Sequence, residues 1–278
     1  MTPTEVSLEM KTGMGKNLKV ILDVRIHCRD LTMMIQLDSR KDTQPMTKSV
    51  EQPPEVSASA EVAPVTSRVC NWLTAILYPL GRRIVLPFYF RKLTVIGQEN
   101  LPKTGSVILT PTHRSRWDAL LVPYSTGKPI TGRDLRFMIS EDEVKGIQGW
   151  FMRRLGGFPV NTKHPGVGTF RHSVELLRNG EVLVIFPEGN IFRDGKVQPL
   201  KPGMARIALQ AQSSQACNEL KVVPISIHYS SPIPHWRCEV EVKIGTPLTV
   251  ASYCTKSAKK SAQQLTNDLE KAMRELDE

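Results

Sequence analysis

The chain has 278 residues, of which 40% are apolar and 23% are charged. This ordinary globular composition argues against wholesale disorder, a collagen-like fibre and a protein with many membrane spans. The formal net charge is +10, and it is uneven, because residues 1–66 sum to −1 and residues 67–278 sum to +11. Such a basic surface suits anionic partners: nucleic acid, anionic lipid, a phosphorylated substrate or an acidic carrier protein.

The five cysteines are odd in number and widely spaced in a long chain, so a disulfide framework is a poor interpretation. No Cys/His group has zinc-finger spacing, and we therefore expect no metal site. The N-terminal region lacks a continuous apolar segment and carries nine acidic residues within residues 1–66. These features argue against a secretory signal and an organellar transit peptide, and we expect a reducing compartment.

Residues 1–66 are predicted to be a poorly ordered or linker-like extension. Residues 18–26 have some strand-like apolar content without an evident partner strand, and residues 41–67 carry four prolines among Ser, Thr, Glu and Ala. One hypothesis is that translation starts at Met46, which opens this stretch. An intact mass showing that the natively expressed protein begins at Met1 would exclude this hypothesis.

Residues 69–90 (VCNWLTAILYPLGRRIVLPFYF) form the most apolar stretch of the chain. Its length would suffice for a membrane-spanning helix, but it contains two arginines beside helix breakers, and each central Arg costs about 2.5–3.5 kcal/mol on insertion scales. The pattern favours an interfacial membrane anchor over residues 67–91, in which two apolar pieces enter the lipid and the arginines lie at phosphate level. A buried helical hairpin of the core is the alternative. The anchor residues are Trp72, Leu73, Ile76, Leu77, Arg82 and Arg83.

From about residue 92 onward, short β-branched segments alternate with segments of helical periodicity. The predicted strands are 106–110, 136–140, 182–186, 220–227 and 238–244, and the predicted helices are 143–155, 168–178, 204–212 and 258–276. Strands that alternate with helices indicate an α/β layer architecture.

His113 and Asp118 lie five residues apart, directly after a predicted strand. On one continuous helix this spacing leaves them ~140° apart. They can meet only if His113 lies in a strand-to-helix turn and Asp118 in the first helical turn. Asp118 would then accept the Nδ1 proton and leave Nε2 of His113 to act as a general base. The alternative is a pair that only holds a loop, because this spacing arises by chance in about one such sequence in five.

A second candidate segment begins as a uniformly apolar strand and continues into F-P-E-G at residues 186–189. Such a strand is typical of burial on both faces, and Glu188 would emerge at the same sheet edge as His113. Gly189 allows the backbone to approach a ligand. A phosphate could be held by the cations that follow, although a turn with scattered surface charge is the alternative for the lysines. These cations are Arg193, Lys196 and Lys201.

Taken in order, these segments resemble the motifs of the glycerolipid acyltransferase family, which contains the lysophosphatidic acid acyltransferases. The family's N-H-x-x-x-x-D motif matches His113 and Asp118, with Thr112 in place of the Asn. Its F-P-E-G-T-R-S motif matches residues 186–189. Further segments that resemble family motifs are residues 157–161, 201–203 and 222–225.

The resemblance covers about residues 68–250 and implies an acyltransferase catalytic domain over residues 92–278, with a central mixed sheet flanked by helices. It implies transfer of a fatty acyl group from acyl-ACP or acyl-CoA to the sn-2 hydroxyl of 1-acylglycerol-3-phosphate, which gives phosphatidic acid for phospholipid synthesis. His113 would deprotonate the acceptor and Asp118 would orient it, with no acyl-enzyme. A base of this kind contributes typically about 10²–10⁴-fold. The residues expected to bind substrate are Arg153, Arg154, Gly157, Glu188, Gly189, Arg193 and Lys201.

The implied partners are an anionic membrane surface, an acyl carrier protein or coenzyme A thioester, and a lysophospholipid acceptor. The thioester is a co-substrate, and no further cofactor is expected. The implied location is membrane-associated, at the cytoplasmic face. Nucleic acid is not expected as a partner, because only 6% of residues are aromatic and no recognition motif is present.

Two positions depart from the family pattern, since Ile191 and Thr162 stand where the family usually has an Arg assigned to the acceptor phosphate. Nearby cations could substitute, although Arg and Lys are not interchangeable at bidentate sites. These cations are Arg153, Arg154, Lys163 and Arg193. A different lysolipid acceptor is therefore an alternative. A non-catalytic basic membrane- or nucleic-acid-binding protein is a further one, and a lipase-like hydrolase lacks a credible nucleophile.

Overall fold

The computed structural model describes residues 7–11, 17–21, 65–161, 166–213 and 219–278. The chain divides into two compact units, Met1–Ser59 and Ala60–Glu278. In the first unit, strands β1 (Ser7–Lys11) and β2 (Asn17–Ile21) pair antiparallel. Strand β2 overlaps the predicted strand-like residues 18–26 over residues 18–21, and its partner β1 was not recognised from the sequence. The proposed start at Met46, and the substituted position Thr162 with its neighbour Lys163, lie outside the described residues.

Among the described residues of the second unit, eight strands form one mixed sheet in the order β3-β9-β8-β4-β7-β5-β6, with β10 paired to β8. Strands β8, β4, β7, β5 and β6 run parallel, whereas β9 is antiparallel to β8 and carries β3 parallel to itself. The strands are β3 (Lys92–Ile96), β4 (Val107–Pro111), β5 (Leu135–Ser140), β6 (Gly157–Val160), β7 (Val182–Val184), β8 (Lys221–Tyr229), β9 (Glu239–Ile244) and β10 (Leu248–Thr249).

Helices cover both faces of this sheet. They are α1 (Asn71–Leu80), α2 (Leu86–Tyr89), α3 (Asp118–Thr126), α4 (Lys128–Thr131), α5 (Gly146–Arg154), α6 (Val167–Arg178), α7 (Gly203–Gln212) and α8 (Ala258–Asp277). Along β4 the buried side chains alternate between two core clusters, with Ile108 packing in the cluster of α6, α7 and α8 and Leu109 in the cluster of α2 and α3. Both faces of β4 and β7 are therefore buried, as their uniformly apolar sequences predict.

The predicted mixed α/β sheet flanked by helices is confirmed. Each predicted strand and helix overlaps an observed one, with shifts at the ends. The helix predicted from residue 143 begins at Gly146, because Glu141–Glu143 forms a separate 3₁₀ turn. Strand β7 ends at Val184, two residues early, because the chain then turns into the segment 186–189.

The apolar stretch of residues 69–90 is helical. Helices α1 and α2 are continuous through a π-helical turn over Gly81–Val85, in which the Leu86 amide bonds the Gly81 carbonyl, so the alternative of a buried hairpin is wrong. Every fourth residue carries an exposed apolar side chain, between 39% and 62% exposed. We call this set the apolar stripe: Trp72, Ile76, Leu80, Ile84 and Phe88. Within the described residues, no helix is long and apolar enough to cross a bilayer.

The predicted anchor residues differ in their surroundings. Trp72 and Ile76 belong to the apolar stripe, and Arg83 is exposed. The prediction that Leu73 contacts lipid is wrong, because this side chain is buried in the protein, and Leu77 is half-buried. The Arg82 guanidinium donates to the Tyr124 carbonyl oxygen at 3.1 Å and lies 4.8 Å from the Tyr124 ring centre, so it fastens the helical segment to α3.

Candidate active site

The loop between β4 and α3, residues 112–117, lies at the carboxyl end of the parallel strands, where α/β proteins build their sites. Thr112 fixes the start of this loop. Its amide donates to the Ile225 carbonyl and its hydroxyl accepts from the Ile227 amide, both at 2.9 Å. The Thr112 side chain is fully buried. The Thr that replaces the family's Asn therefore holds the loop against β8 through these two hydrogen bonds.

His113 and Asp118 are in direct contact. His113 Nδ1 lies 2.9 Å from Asp118 Oδ2, and the same oxygen accepts the amides of Arg114 at 2.7 Å and Ser115 at 2.8 Å. A carboxylate accepts only, so Nδ1 carries the proton in the neutral ring and Nε2 is left as a base. Asp118 is 0% exposed, whereas the His113 side chain is 21% exposed and its ring stacks on Phe186 at 4.1 Å.

Tyr229 completes the Asp118 site and was missed in the sequence. Its hydroxyl donates to Asp118 Oδ1 at 2.6 Å. Burial, followed by the Asp118 carboxylate, raises the pKa of the Tyr229 phenol far above its ordinary range, so the phenol remains a donor. The available signal was the position of Tyr229 at the carboxyl end of β8, the strand beside β4. The buried carboxylate therefore has four hydrogen-bond donors, which compensate for its desolvation.

Glu188 is buried next to the loop of residues 112–117, and its carboxylate is hydrogen-bonded to other residues of this chain. One oxygen accepts the His113 amide at 2.9 Å, the other accepts the Gln198 amide at 3.0 Å, and Arg114 Nη1 donates to both at 3.0 and 3.2 Å. Its side chain is 0% exposed, which argues against the predicted direct contact with an acceptor. Glu188 instead holds the backbone of His113 in place.

Arg114 is a second residue that sequence reasoning missed. It is buried, with Nη1 on Glu188 and Nη2 3.6 Å from Asp277 Oδ2, near the end of α8. Asp277 in turn accepts the Ser226 hydroxyl at 2.7 Å. The available signal was an Arg between His113 and Asp118 in a segment already identified. This buried charge network links the C-terminal helix to the loop of His113.

Two of the predicted cations flank this site. Gly189 has φ 74°, and a Cβ placed there would lie 2.5 Å from Lys201 Nζ, so the Lys201 side chain passes over Gly189. The Phe192 amide donates to the His113 carbonyl at 2.8 Å, which brings the exposed Arg193 to the same edge. Neither Lys201 nor Arg193 forms an ion pair with the described part of the chain. Both remain available to an anionic ligand.

The remaining predicted residues lie apart from His113. Gly157 begins β6, the edge strand three positions from β4, and it is buried against Ile139 and the Met152 carbonyl, where a Cβ would not fit. Arg154 stacks over the Trp150 ring at 3.9 Å, and Arg153 is exposed at the end of α5. No hydrogen bond or ion pair between described residues joins these positions to His113 or Asp118.

No group of three or more His, Cys, Asp or Glu side chains suited to a metal ion occurs within the described ranges. Ser115 is buried, and its hydroxyl accepts the Trp117 amide at 3.3 Å. Among the described residues no hydrogen bond joins the Ser115 hydroxyl to His113, whereas a serine nucleophile would require one.

Comparison with known proteins gives a consistent family. A family model described as Acyltransferase matches residues 92–228. The chain is 26% identical over 189 residues to 1-acyl-sn-glycerol-3-phosphate acyltransferase of Bacillus subtilis, covering 66% of this chain and 87% of the relative. It is 26% identical over 185 residues to mitochondrial glycerol-3-phosphate acyltransferase 1 of Sus scrofa, covering 61% of this chain and 22% of that longer protein.

A solved structure has a similar fold. The crystal structure of the 1-acyl-sn-glycerophosphate (LPA) acyltransferase PlsC from Thermotoga maritima matches with a TM-score of 0.56 at 23% identity. The match covers 74% of this chain and 80% of that one.

Proposed function

The chain belongs to the glycerolipid acyltransferase family, and on this premise we propose that it transfers a fatty acyl group from acyl-ACP or acyl-CoA to the sn-2 hydroxyl of 1-acylglycerol-3-phosphate. The product is phosphatidic acid for phospholipid synthesis. The observation that carries the proposal is the His113–Asp118 pair at the sheet edge, in which Nδ1 and Oδ2 lie 2.9 Å apart and Nε2 is the ring nitrogen turned away from Asp118.

In the proposed reaction, His113 Nε2 takes the proton of the acceptor hydroxyl as its oxygen attacks the thioester carbonyl carbon. The buried Asp118 carboxylate stabilises the imidazolium that forms, since it already accepts the Nδ1 proton. The C–S bond then breaks, and the imidazolium returns its proton to the departing thiolate. The transfer is direct, and the lack of a hydrogen bond between the Ser115 hydroxyl and His113 among the described residues supports this.

We assign the acceptor phosphate to the cations at the same edge. Lys201 lies over Gly189 and Arg193 follows the Phe192 amide that bonds the His113 carbonyl. Charge-assisted hydrogen bonds to phosphate are about twice as strong as neutral ones, so these two cations favour a phosphorylated acceptor. Glu188 acts as a positioning residue, because its carboxylate holds the His113 amide.

The membrane part of the proposal rests on the apolar stripe. Exposed Trp, Ile, Leu and Phe side chains on one helical segment, with Arg83 beside them, suit the interface of an anionic membrane. We therefore place an interfacial anchor at residues 67–91, the catalytic domain at residues 92–278 and an extension at residues 1–66. The proposed location is the cytoplasmic face of a membrane.

One observation favours a second acceptor. Ile191, at a position where the family usually has Arg, is half-buried beside Gly189 and cannot bind phosphate. The alternative is the same chemistry on a different lysolipid. Some relatives are named glycerol-3-phosphate acyltransferases, so glycerol 3-phosphate also belongs in the acceptor panel.

The test is thiol release by the purified full chain with acyl-CoA or acyl-ACP and each acceptor. His113→Ala is expected to lower acceptor-dependent release by about 10²–10⁴-fold, the contribution of a general base. His228→Ala is the matched control, because His228 is an exposed histidine without a role in the site. Equal rates for His113→Ala and the parent would refute the mechanism. Thiol release with another lysolipid but not with 1-acylglycerol-3-phosphate would show that the other lysolipid is the acceptor.

A further inference from the structure

The loop between β8 and β9, residues 230–238, exposes two large apolar side chains. Ile233 is 61% exposed and Trp236 is 45% exposed. The Trp236 ring packs edge-on against Phe88, the last residue of the apolar stripe, with ring centres 4.4 Å apart. The exposed apolar surface therefore continues from the helical segment onto this loop.

The loop is held firmly in this position. The Arg237 amide donates to the Tyr89 carbonyl at 2.7 Å, and the Tyr89 hydroxyl donates to the Pro234 carbonyl at 3.1 Å. Arg237 adopts φ 60°, a left-handed conformation that residues other than glycine rarely adopt. An unusual backbone fixed by two hydrogen bonds to α2 keeps the tip of the loop beside the stripe.

The charge around the tip is positive. Arg237 is exposed on the loop, and Arg83 is exposed on the helical segment. Arg91, beside the loop, is paired with Glu239. Apolar side chains, an exposed indole and flanking cations are the combination that binds the interface of an anionic bilayer.

We propose that the β8–β9 loop is a second lipid-contacting element, with Ile233 and Trp236 inserted into an anionic bilayer and Arg237 at the level of the lipid phosphates. The proposal deepens the membrane part of the proposed function and rests on it. Its consequence concerns the reaction site. The loop begins one residue after Tyr229, whose hydroxyl donates to Asp118, so lipid contact at the loop holds the catalytic pair close to the bilayer that contains the acceptor.

The test is co-sedimentation of the full chain with vesicles of phosphatidylethanolamine and phosphatidylglycerol, compared with vesicles of phosphatidylcholine alone. Ile233→Ser and Trp236→Ser should each weaken binding to the anionic vesicles about tenfold or more, from the apolar area lost to lipid. Val167→Ser is the matched control, because Val167 is a 75% exposed aliphatic residue on α6 outside the proposed surface. It should bind as the parent does.

A second readout places the indole. Vesicles with brominated acyl chains should quench part of the parent's tryptophan fluorescence. Trp236→Phe should lose the share of this quenching that Trp236 contributes and keep the share of Trp72 in the apolar stripe. Ile233→Ser removes an exposed side chain, so it keeps the test valid even if Trp236→Ser fails to fold by circular dichroism. Parent-like binding of Ile233→Ser, with unchanged quenching in Trp236→Phe, would overturn the proposal. Vesicle binding requires no turnover, so a lack of acyl transfer would refute only the proposed function.

Discussion

Removing one oxygen atom, in Tyr229→Phe, tests how the buried Asp118 carboxylate is held. The phenol is the donor to Oδ1, at 2.6 Å, whereas Oδ2 has three donors of its own. Phenylalanine keeps the ring and its contact with Phe90, whose ring centre lies 6.1 Å away. The substitution therefore leaves the packing and removes one hydrogen bond to a buried charge.

The expected magnitude follows from that single bond. A hydrogen bond to a charged group contributes about 1.5–3 kcal/mol, and its loss leaves Oδ1 buried without a donor. We expect the free energy of unfolding of Tyr229→Phe to fall by that amount. The turnover rate should fall less, roughly tenfold or below, because the bond between Oδ2 and His113 Nδ1 persists and still orients the ring.

The assay is a double-mutant cycle between Tyr229→Phe and Asp118→Asn, measured by urea unfolding. If the phenol acts through the carboxylate, the two changes should couple by about 1 kcal/mol or more. Tyr253→Phe is the matched control, since Tyr253 is a buried tyrosine of the other core cluster whose pKa burial raises to about 12. The control should be additive with Asp118→Asn. Additivity of Tyr229→Phe within about 0.5 kcal/mol would refute the reasoning.

Three further predictions concern other parts of the site and its support. Gly189→Ala should cost about 1–2 kcal/mol of stability, because residue 189 has a φ of 74°. It should also raise the KM for the acceptor, because the new Cβ would displace Lys201. An unchanged KM in steady-state kinetics would contradict this. Glu188→Gln should lower the free energy of unfolding by about 3–5 kcal/mol, because it leaves Arg114 buried without its main carboxylate partner; a loss below about 1 kcal/mol in denaturant unfolding would be inconsistent with that pairing. Burial lowers the pKa of His172 from 6.5, so the folded protein favours the neutral ring and loses stability as the pH falls below that value. His172→Gln should therefore show a smaller fall in Tm at acidic pH than the parent. Parallel profiles of Tm against pH for the two proteins would contradict this prediction.

The sequence was sufficient to predict contacts between site residues that lie in one segment of the chain. His113 and Asp118 are five residues apart, and a strand-to-helix turn brings them together by local geometry alone. Glu188 could also be placed, because the carboxyl ends of parallel strands share one edge. Its role differs from the prediction, because the sequence does not indicate that Arg114 and backbone amides already engage its carboxylate.

The remaining differences between prediction and structure depend on contacts between residues that are far apart in the chain. Tyr229 contacts Asp118 across 111 residues, a pairing that depends on β8 lying beside β4. Gly157 was predicted to bind substrate, but the strand order places β6 at the far edge, where the residue packs against α5. Strand order is set by the packing of the whole sheet and does not follow from spacing along the chain.

The π-helical turn over Gly81–Val85 determines where the apolar stripe points. In a regular α-helix each four-residue step advances by about 40° beyond a full turn, so residues 72 and 88 would diverge by about 160° and lie on nearly opposite sides. The wider turn accommodates one additional residue, which rotates the following residues back by about 100°. Trp72 and Phe88 are thereby brought within about 60° of each other. If the same residues instead formed one regular α-helix, the apolar stripe would be divided between two nearly opposite faces of the segment, and these could not meet the same plane.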